Sequence, residues 1–354
     1  MLITTTRRRA FLVVLMAMVL TAAACGGGDE EGATTTEPGD VTQAPTTTAA
    51  PVRLVAVNGS SQDFISLVPI AAWEILAEQG IIVEQRFLEE ASTAIQAVTQ
   101  GDAQIATNIG VNVGVPAVEA GANIVDVVAT QRPTWALAVA PDINSFDDLE
   151  GKRLAVHGEA SFTRAVSQYF SQLHGFNYEE LIIPGSEVRA EALAQGQIDA
   201  SVIDLPDIVQ LSKTYPGSFK VLSTIGEEFP ELIEQDIWLD RAWAEANPEL
   251  ATTIVEALVA AMRKLSSDSA YALNLAKEQL PEMDEDVLEE LVAEYAARDL
   301  WPADGLLTPD RALETLTFFN DVGEIEITLP ADTAGLSKYF DFSYLESALN
   351  RLDG

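Results

Sequence analysis

The chain has 354 residues, 48% of them hydrophobic, enough for sizeable cores and for about two domains. Its 20 Lys and Arg face 55 Asp and Glu, a formal net charge of −35, which excludes nucleic acid and anionic membrane surfaces as partners because both need basic patches. One cysteine excludes an intrachain disulfide and a thiolate zinc cluster.

Residues 1–24 read as a signal peptide. Arg7, Arg8 and Arg9 form its charged region, and the apolar run from Phe11 to Leu20 is too short for an ordinary spanning helix. The small residues Ala22, Ala23 and Ala24 before Cys25 resemble a bacterial lipobox. The resemblance implies that Cys25 is the lipidated N-terminus of the mature protein, anchored on the extracytoplasmic face of a cell membrane. Residues 25–51, rich in Gly, Thr, Pro and Ala, cannot bury enough apolar surface to offset ordering and read as a disordered tether.

From residue 52 strands and helices alternate. Val52–Val57 reads as a strand and is followed by the polar turn Asn58–Asp63. Ile65, Val68, Ala72, Ile75 and Leu76 then fall at helical spacing. Ile81–Phe87 is a second strand. Next comes a segment that occurs twice. The first copy is Ala97-Val98-Thr99-Gln100-Gly101-Asp102-Ala103-Gln104-Ile105-Ala106, and the second is Ala192-Leu193-Ala194-Gln195-Gly196-Gln197-Ile198-Asp199-Ala200-Ser201. Each reads as a helix end, a glycine that accepts left-handed backbone, and a short strand. The copies lie too far apart for a solenoid and suit two similar lobes. Ile124–Ala129 and Trp135–Val139 read as further strands, Arg153–Val156 and Leu181–Ile183 as strands of the second half, and Ile237–Leu239 as a return to the first. Beyond residue 240 the pattern is helical.

The stretch Ile143-Asn144-Ser145-Phe146-Asp147-Asp148-Leu149-Glu150-Gly151-Lys152-Arg153-Leu154-Ala155-Val156, between the two repeats and followed by Asp204-Leu205-Pro206, resembles type 2 solute-binding proteins of ABC importers. Within them it is similar to the sulfonate/nitrate/taurine and thiamine-precursor binding family. The resemblance spans roughly residues 52–280. It departs at Leu205-Pro206, where family members often carry Glu-Pro. It implies a two-lobed type 2 periplasmic binding protein fold, each lobe a mixed sheet flanked by helices, with a helical C-terminal region. Lobe 1 is expected at 52–139 plus 238–354 and lobe 2 at 140–237. The implied function is capture of a small sulfonate/taurine-like or thiamine-pyrimidine-like nutrient, without chemistry or cofactor, by a monomer that delivers it to ABC permease and ATPase subunits. A tethered sensor using the same fold is the alternative. An enzyme of thiamine-pyrimidine synthesis would need a cysteine-rich motif, and Cys25 is the chain's one cysteine.

Ligands of open α/β sheets bind beyond the carboxyl ends of the strands, where helix N-termini offer unpaired N–H groups. That rule selects Asn58, Ser60 and Gln62 after the first strand, Ser92 and Thr93 at the first repeat helix, and Asn108 after its strand. In lobe 2 it selects His157, Ser161 and Thr163. By resemblance, the turn at Ser161–Thr163 matches the helix N-terminus that holds ligand anions in sulfonate-binding relatives; Ser161 is equally suited to plain helix capping. Trp135, at the crossing between lobes, fits either a cleft wall or hinge packing. Asp204 fits either a helix cap or a ligand contact. His157 fits a hydrogen-bonding or a structural role. No metal site is expected.

Overall fold

A computed structural model describes residues 50–354 apart from 89 and 160. The signal peptide at 1–24, Cys25 and the tether as far as residue 49 lie outside the described residues. No helix among those described is long and apolar enough to cross a membrane.

The first half supplies strands β1 (Val52–Asn58), β2 (Ile81–Phe87), β3 (Ile105–Ile109), β4 (Ile124–Gln131) and β5 (Ala136–Val139), and helices α1 (Leu67–Glu78), α2 (Ala91–Thr99) and α3 (Val111–Glu119). The second supplies β6 (Lys152–Val156), α4 (Phe162–His174), β7 (Tyr178–Ile182), α5 (Ser186–Ala194), β8 (Ala200–Ile203), α6 (Leu205–Thr214), β9 (Lys220–Thr224), α7 (Ile225–Glu228) and β10 (Gln235–Asp240). Helices follow: α8 (Arg241–Ala246), α9 (Pro248–Ser267), α10 (Ser269–Gln279), α11 (Glu285–Ala297), α12 (Pro309–Asp321), α13 (Thr333–Leu336) and α14 (Phe342–Asp353).

Two sheets result, in the orders β2-β1-β3-β10-β4 and β7-β6-β8-β5-β9. In each, a parallel trio is followed by one antiparallel strand, β10 or β5, and then by an edge strand, β4 or β9, that pairs antiparallel with it. Central β3 and edge strand β4 are both buried along their whole length, so neither shows the in-and-out alternation of a half-exposed strand. This is the expected two-lobed α/β architecture with a helical C-terminal region.

One expected boundary is corrected. Strand β5, read as the end of lobe 1 at residue 139, pairs antiparallel with β8 and β9 and so belongs to the second sheet. The first sheet ends with β4 at Gln131, and the return begins at Gln235 rather than 238. Every residue of β5 is buried, so its apolar run carries no sign of which sheet covers it.

The lobes are joined at 132–135 and 225–234. The two crossings are tied together by a hydrogen bond from the Ile225 amide to the Trp135 carbonyl, 3.0 Å. C-terminal helices brace the joint. Phe319 and Phe318 of α12 meet Phe162 and Tyr169 of α4 at ring separations of 6.1 and 5.1 Å. Lys213 of α6 pairs with Asp286 and Glu290 of α11 at 2.9 and 3.3 Å.

Candidate functional site

The carboxyl ends of the parallel strands face a cleft between the lobes that divides into two chambers of about 420 and about 380 Å³. Asn108, Trp135 and Gln235 line both.

The first chamber collects the starts of three helices: Ala91 and Ser92 of α2, Gly110 before α3, and Ser161 and Phe162 of α4. Gly59 closes its lobe 1 side. A Cβ there would stand 2.6 Å from Ile109 Cδ1 and 2.9 Å from the Asn108 carbonyl oxygen, so only glycine lets the turn after β1 lie against the end of β3. His157 lies on the lobe 2 side. Its Nδ1 accepts a hydrogen bond from the Gly185 amide at 3.2 Å. Desolvation, aided by nearby Arg189, holds its pKa below the ordinary value, which favours neutral imidazole near pH 7.

Of the predicted residues, Asn108 is the one that is buried with both side-chain polar atoms unpartnered. It follows Thr107 with φ of +56°, a left-handed conformation that Asn tolerates better than other non-glycine residues. It is 6% exposed, yet neither its Oδ1 nor its Nδ2 has a hydrogen-bond partner. An unmet buried polar atom costs about 1–3 kcal/mol. Trp135 stands between the chambers, its ring 5.8 Å from that of Phe162 and its indole N–H donating to Glu234 Oε1. Glu234 itself is 3% exposed and its Oε2 is unpartnered. Burial, reinforced by Asp204, pushes its pKa well above the usual carboxyl range.

The second chamber is acidic. Ser60, Asp63, Glu187, Asp204 and Asp207 line it with Pro206 and Met283. Asp63 Oδ1 accepts from Ser66 Oγ at 2.9 Å, and Oδ2 from Ser60 Oγ at 3.3 Å. Asp204 caps α6, its Oδ1 accepting from the Leu205 amide at 2.8 Å and from the Thr134 hydroxyl. Burial raises Asp63 to about 6 and Asp204 to about 7. Among the described residues, no Lys or Arg lines either chamber. Arg189, in the first turn of α5, is 1% exposed. Its guanidinium donates to the carbonyls of Ile183, Gly185 and Val202 and to Ser201 Oγ, and burial lowers its pKa to about 10.

The cleft thus brings together Ser60, Ser92, Asn108, Trp135, His157, Ser161 and Asp204. Ser161 caps α4, accepting from the Arg164 amide at 3.3 Å, while also standing on the cleft wall. Four expected ligand residues are not on its walls. Asn58 is fully buried, donating to Ser60 and accepting from Thr107 Oγ1 at 2.7 Å; it shapes the turn. Gln62 turns away and donates to the Gln279 carbonyl at 2.8 Å. Thr93 is exposed on α2, outside the chambers. Thr163 is 3% exposed and accepts from the His157 amide at 2.8 Å. Sequence reading missed Asp63, Asp207, Glu234 and Gln235. Asp63 carried a usable signal, since it closes a polar turn already singled out.

The NMT1/THI5-like family model matches residues 76–268. No curated protein matches the chain. Among solved structures, the chain is similar to the ligand-binding component of an ABC-type import system from Staphylococcus aureus with zinc bound: TM-score 0.67, 12% identity, 84% of this chain and 98% of that one. The periplasmic nitrate-binding protein of Synechocystis gives a TM-score of 0.65 at 11% identity, covering 86% and 89%. The periplasmic aliphatic sulphonate-binding protein of Escherichia coli gives 0.59 at 16% identity, covering 79% and 90%. At such identities these likenesses speak to the fold.

Proposed function

The chain belongs to the NMT1/THI5-like family, and from that premise we propose that it is an extracytoplasmic solute-binding protein serving an ABC importer. In this reading lipid on Cys25 holds a monomer at the outer face of the membrane, and residues 25–51 give it reach. A small organic solute enters the cleft and contacts one lobe. The second lobe closes, because contacts made to both lobes at once stabilise the closed form, and a permease reads that form. No step of this sequence is chemical.

The observation that carries the reading is Asn108. A buried carboxamide with no partner on either atom, on the wall of both chambers, is what a binding site holds ready for an absent ligand. The absence of Lys and Arg from the lining supports a thiamine-pyrimidine-like solute over a sulfonate, whose charge would lack a counter-ion.

Thermal-shift screening tests this. A panel of alkanesulfonates, nitrate, aminopyrimidines, riboflavin and organic amines should contain a member that raises Tm saturably, by about 2.7 kcal/mol of stabilisation at one hundred times Kd. No saturable shift from any member would contradict the reading.

A further inference from the structure

We infer that the ligand presents a cationic N–H group, an ammonium or amidinium, and that the second chamber receives it; this rests on the solute-binding reading above. Asp63, Asp204 and Asp207 converge there, with Glu187 beside them. Glu234 lines the adjoining first chamber, where its Oε2 has no partner. Three arginines have partners of their own: Arg189 donates to backbone carbonyls, Arg132 pairs with Asp299 at 3.0 Å, and Arg164 pairs with Glu180 at 3.1 Å. An anionic group seated in the second chamber would therefore meet several carboxyl groups and, among the described residues, no Lys or Arg on its lining.

The unpartnered side chains of the cleft point the same way. Asn108 Oδ1 and Glu234 Oε2 are buried oxygens without partners that an N–H-bearing ligand supplies, while the equally unmet Asn108 Nδ2 takes an acceptor on the same molecule. A planar amidinium offers two parallel N–H groups, which suit a carboxylate in bidentate fashion. The Trp135 ring between the chambers provides a face for the cation or its apolar body.

The titration of the site follows from the same geometry. Asp204 is faced by Asp63, Asp207 and the Thr134 hydroxyl and by Glu234, and Tyr295 of α11 lies close enough to feel the same charges. Asp207 is in turn faced by Glu187 and Arg189. Burial holds Asp204 at about 7 and Asp63 at about 6. A bound cation favours the ionised carboxylates, so binding releases protons and tightens as pH rises through this range.

A matched series decides the matter: benzamidine, which stays protonated, against benzamide, benzoate and benzenesulfonate, titrated calorimetrically into the purified protein. Benzamidinium should bind at least about tenfold tighter than benzamide, with the two anions weaker still. Its affinity should fall about tenfold or more between pH 8 and pH 5. The heat should vary with the ionisation enthalpy of the buffer, as proton release requires. Asp204→Asn keeps a capping side chain and should erase most of the preference; Asp207→Asn is the second variant should the first misfold. Equal binding of benzamide, tighter binding of either anion, or no binding of benzamidinium overturns the cation assignment. The solute-binding reading fails separately, only if nothing in the wider panel gives a saturable shift.

Discussion

The two lobes are the same machine at one end and different machines at the other. Strand for strand the sheets share one order, β1, β2 and β3 corresponding to β6, β7 and β8. Each also takes in an antiparallel strand from the far side of a crossing, β10 in the first sheet and β5 in the second. Gly101 and Gly196 both adopt left-handed backbone, φ of +82° and +70°. After each, an amide reaches back to the helix at 2.9 Å, Asp102 to Ala97 and Gln197 to Ala192, the Schellman ending. Gln104 then accepts from the Val55 amide at 3.0 Å, and Asp199 from the Arg153 amide at 2.9 Å. Two side chains of different chemistry tie each repeat to its parallel neighbour. At the cleft ends the copies diverge. Lobe 1 presents Asn108 with its carboxamide unmet; lobe 2 presents Asp204 as a cap. The shared ends set strand positions, and the divergent ends form the cleft walls.

The largest break in this comparison is at Arg189, which stands where the first repeat has Ala94. Both are buried, but Arg189 satisfies three backbone carbonyls. Arg189→Ala should destabilise the chain by about 2–5 kcal/mol, through lost volume and orphaned acceptors. Urea unfolding measures it, and a loss below about 1 kcal/mol would show that the arginine is no structural post.

The acidic chamber gives a smaller effect with a definite sign. Asp63 and Asp204 have folded pKa values of about 6 and about 7, raised from 3.8. A carboxyl with a raised folded pKa holds its proton more tightly in the native state. Its contribution is therefore complete below the unfolded value and is lost as pH rises through the folded one. Tm of the ligand-free protein should fall between about pH 4 and pH 7, and the slope should shrink in Asp204→Asn. A Tm that rises steadily over this window would contradict it.

The repeat, the α/β alternation and the helical C-terminal region were legible because glycine stops, apolar runs and spacing are local signals. Which sheet takes β5 was not, since a strand buried on both faces looks alike in either. Gln62 was misplaced because its partner Gln279 is remote in sequence, and nothing near Gln62 announces that contact. Thr93 failed by rotation about its helix: Ser92, one residue earlier, lines the cleft. Glu234 was hidden by composition, one acid among 55, and only burial beside Trp135 distinguishes it.

Closure of the lobes over a solute is the central claim, and an interlobe distance tests it most directly. Gln96 on α2 and Gln210 on α6 are both exposed, and Cys25 is the chain's one cysteine. Cysteine substitutions at the two glutamines in a Cys25→Ser background therefore give a uniquely labelled pair for pulsed electron paramagnetic resonance. With a solute that raises Tm, the account predicts a shorter, narrower distance distribution. An unchanged distribution under a saturating, stabilising solute would contradict it.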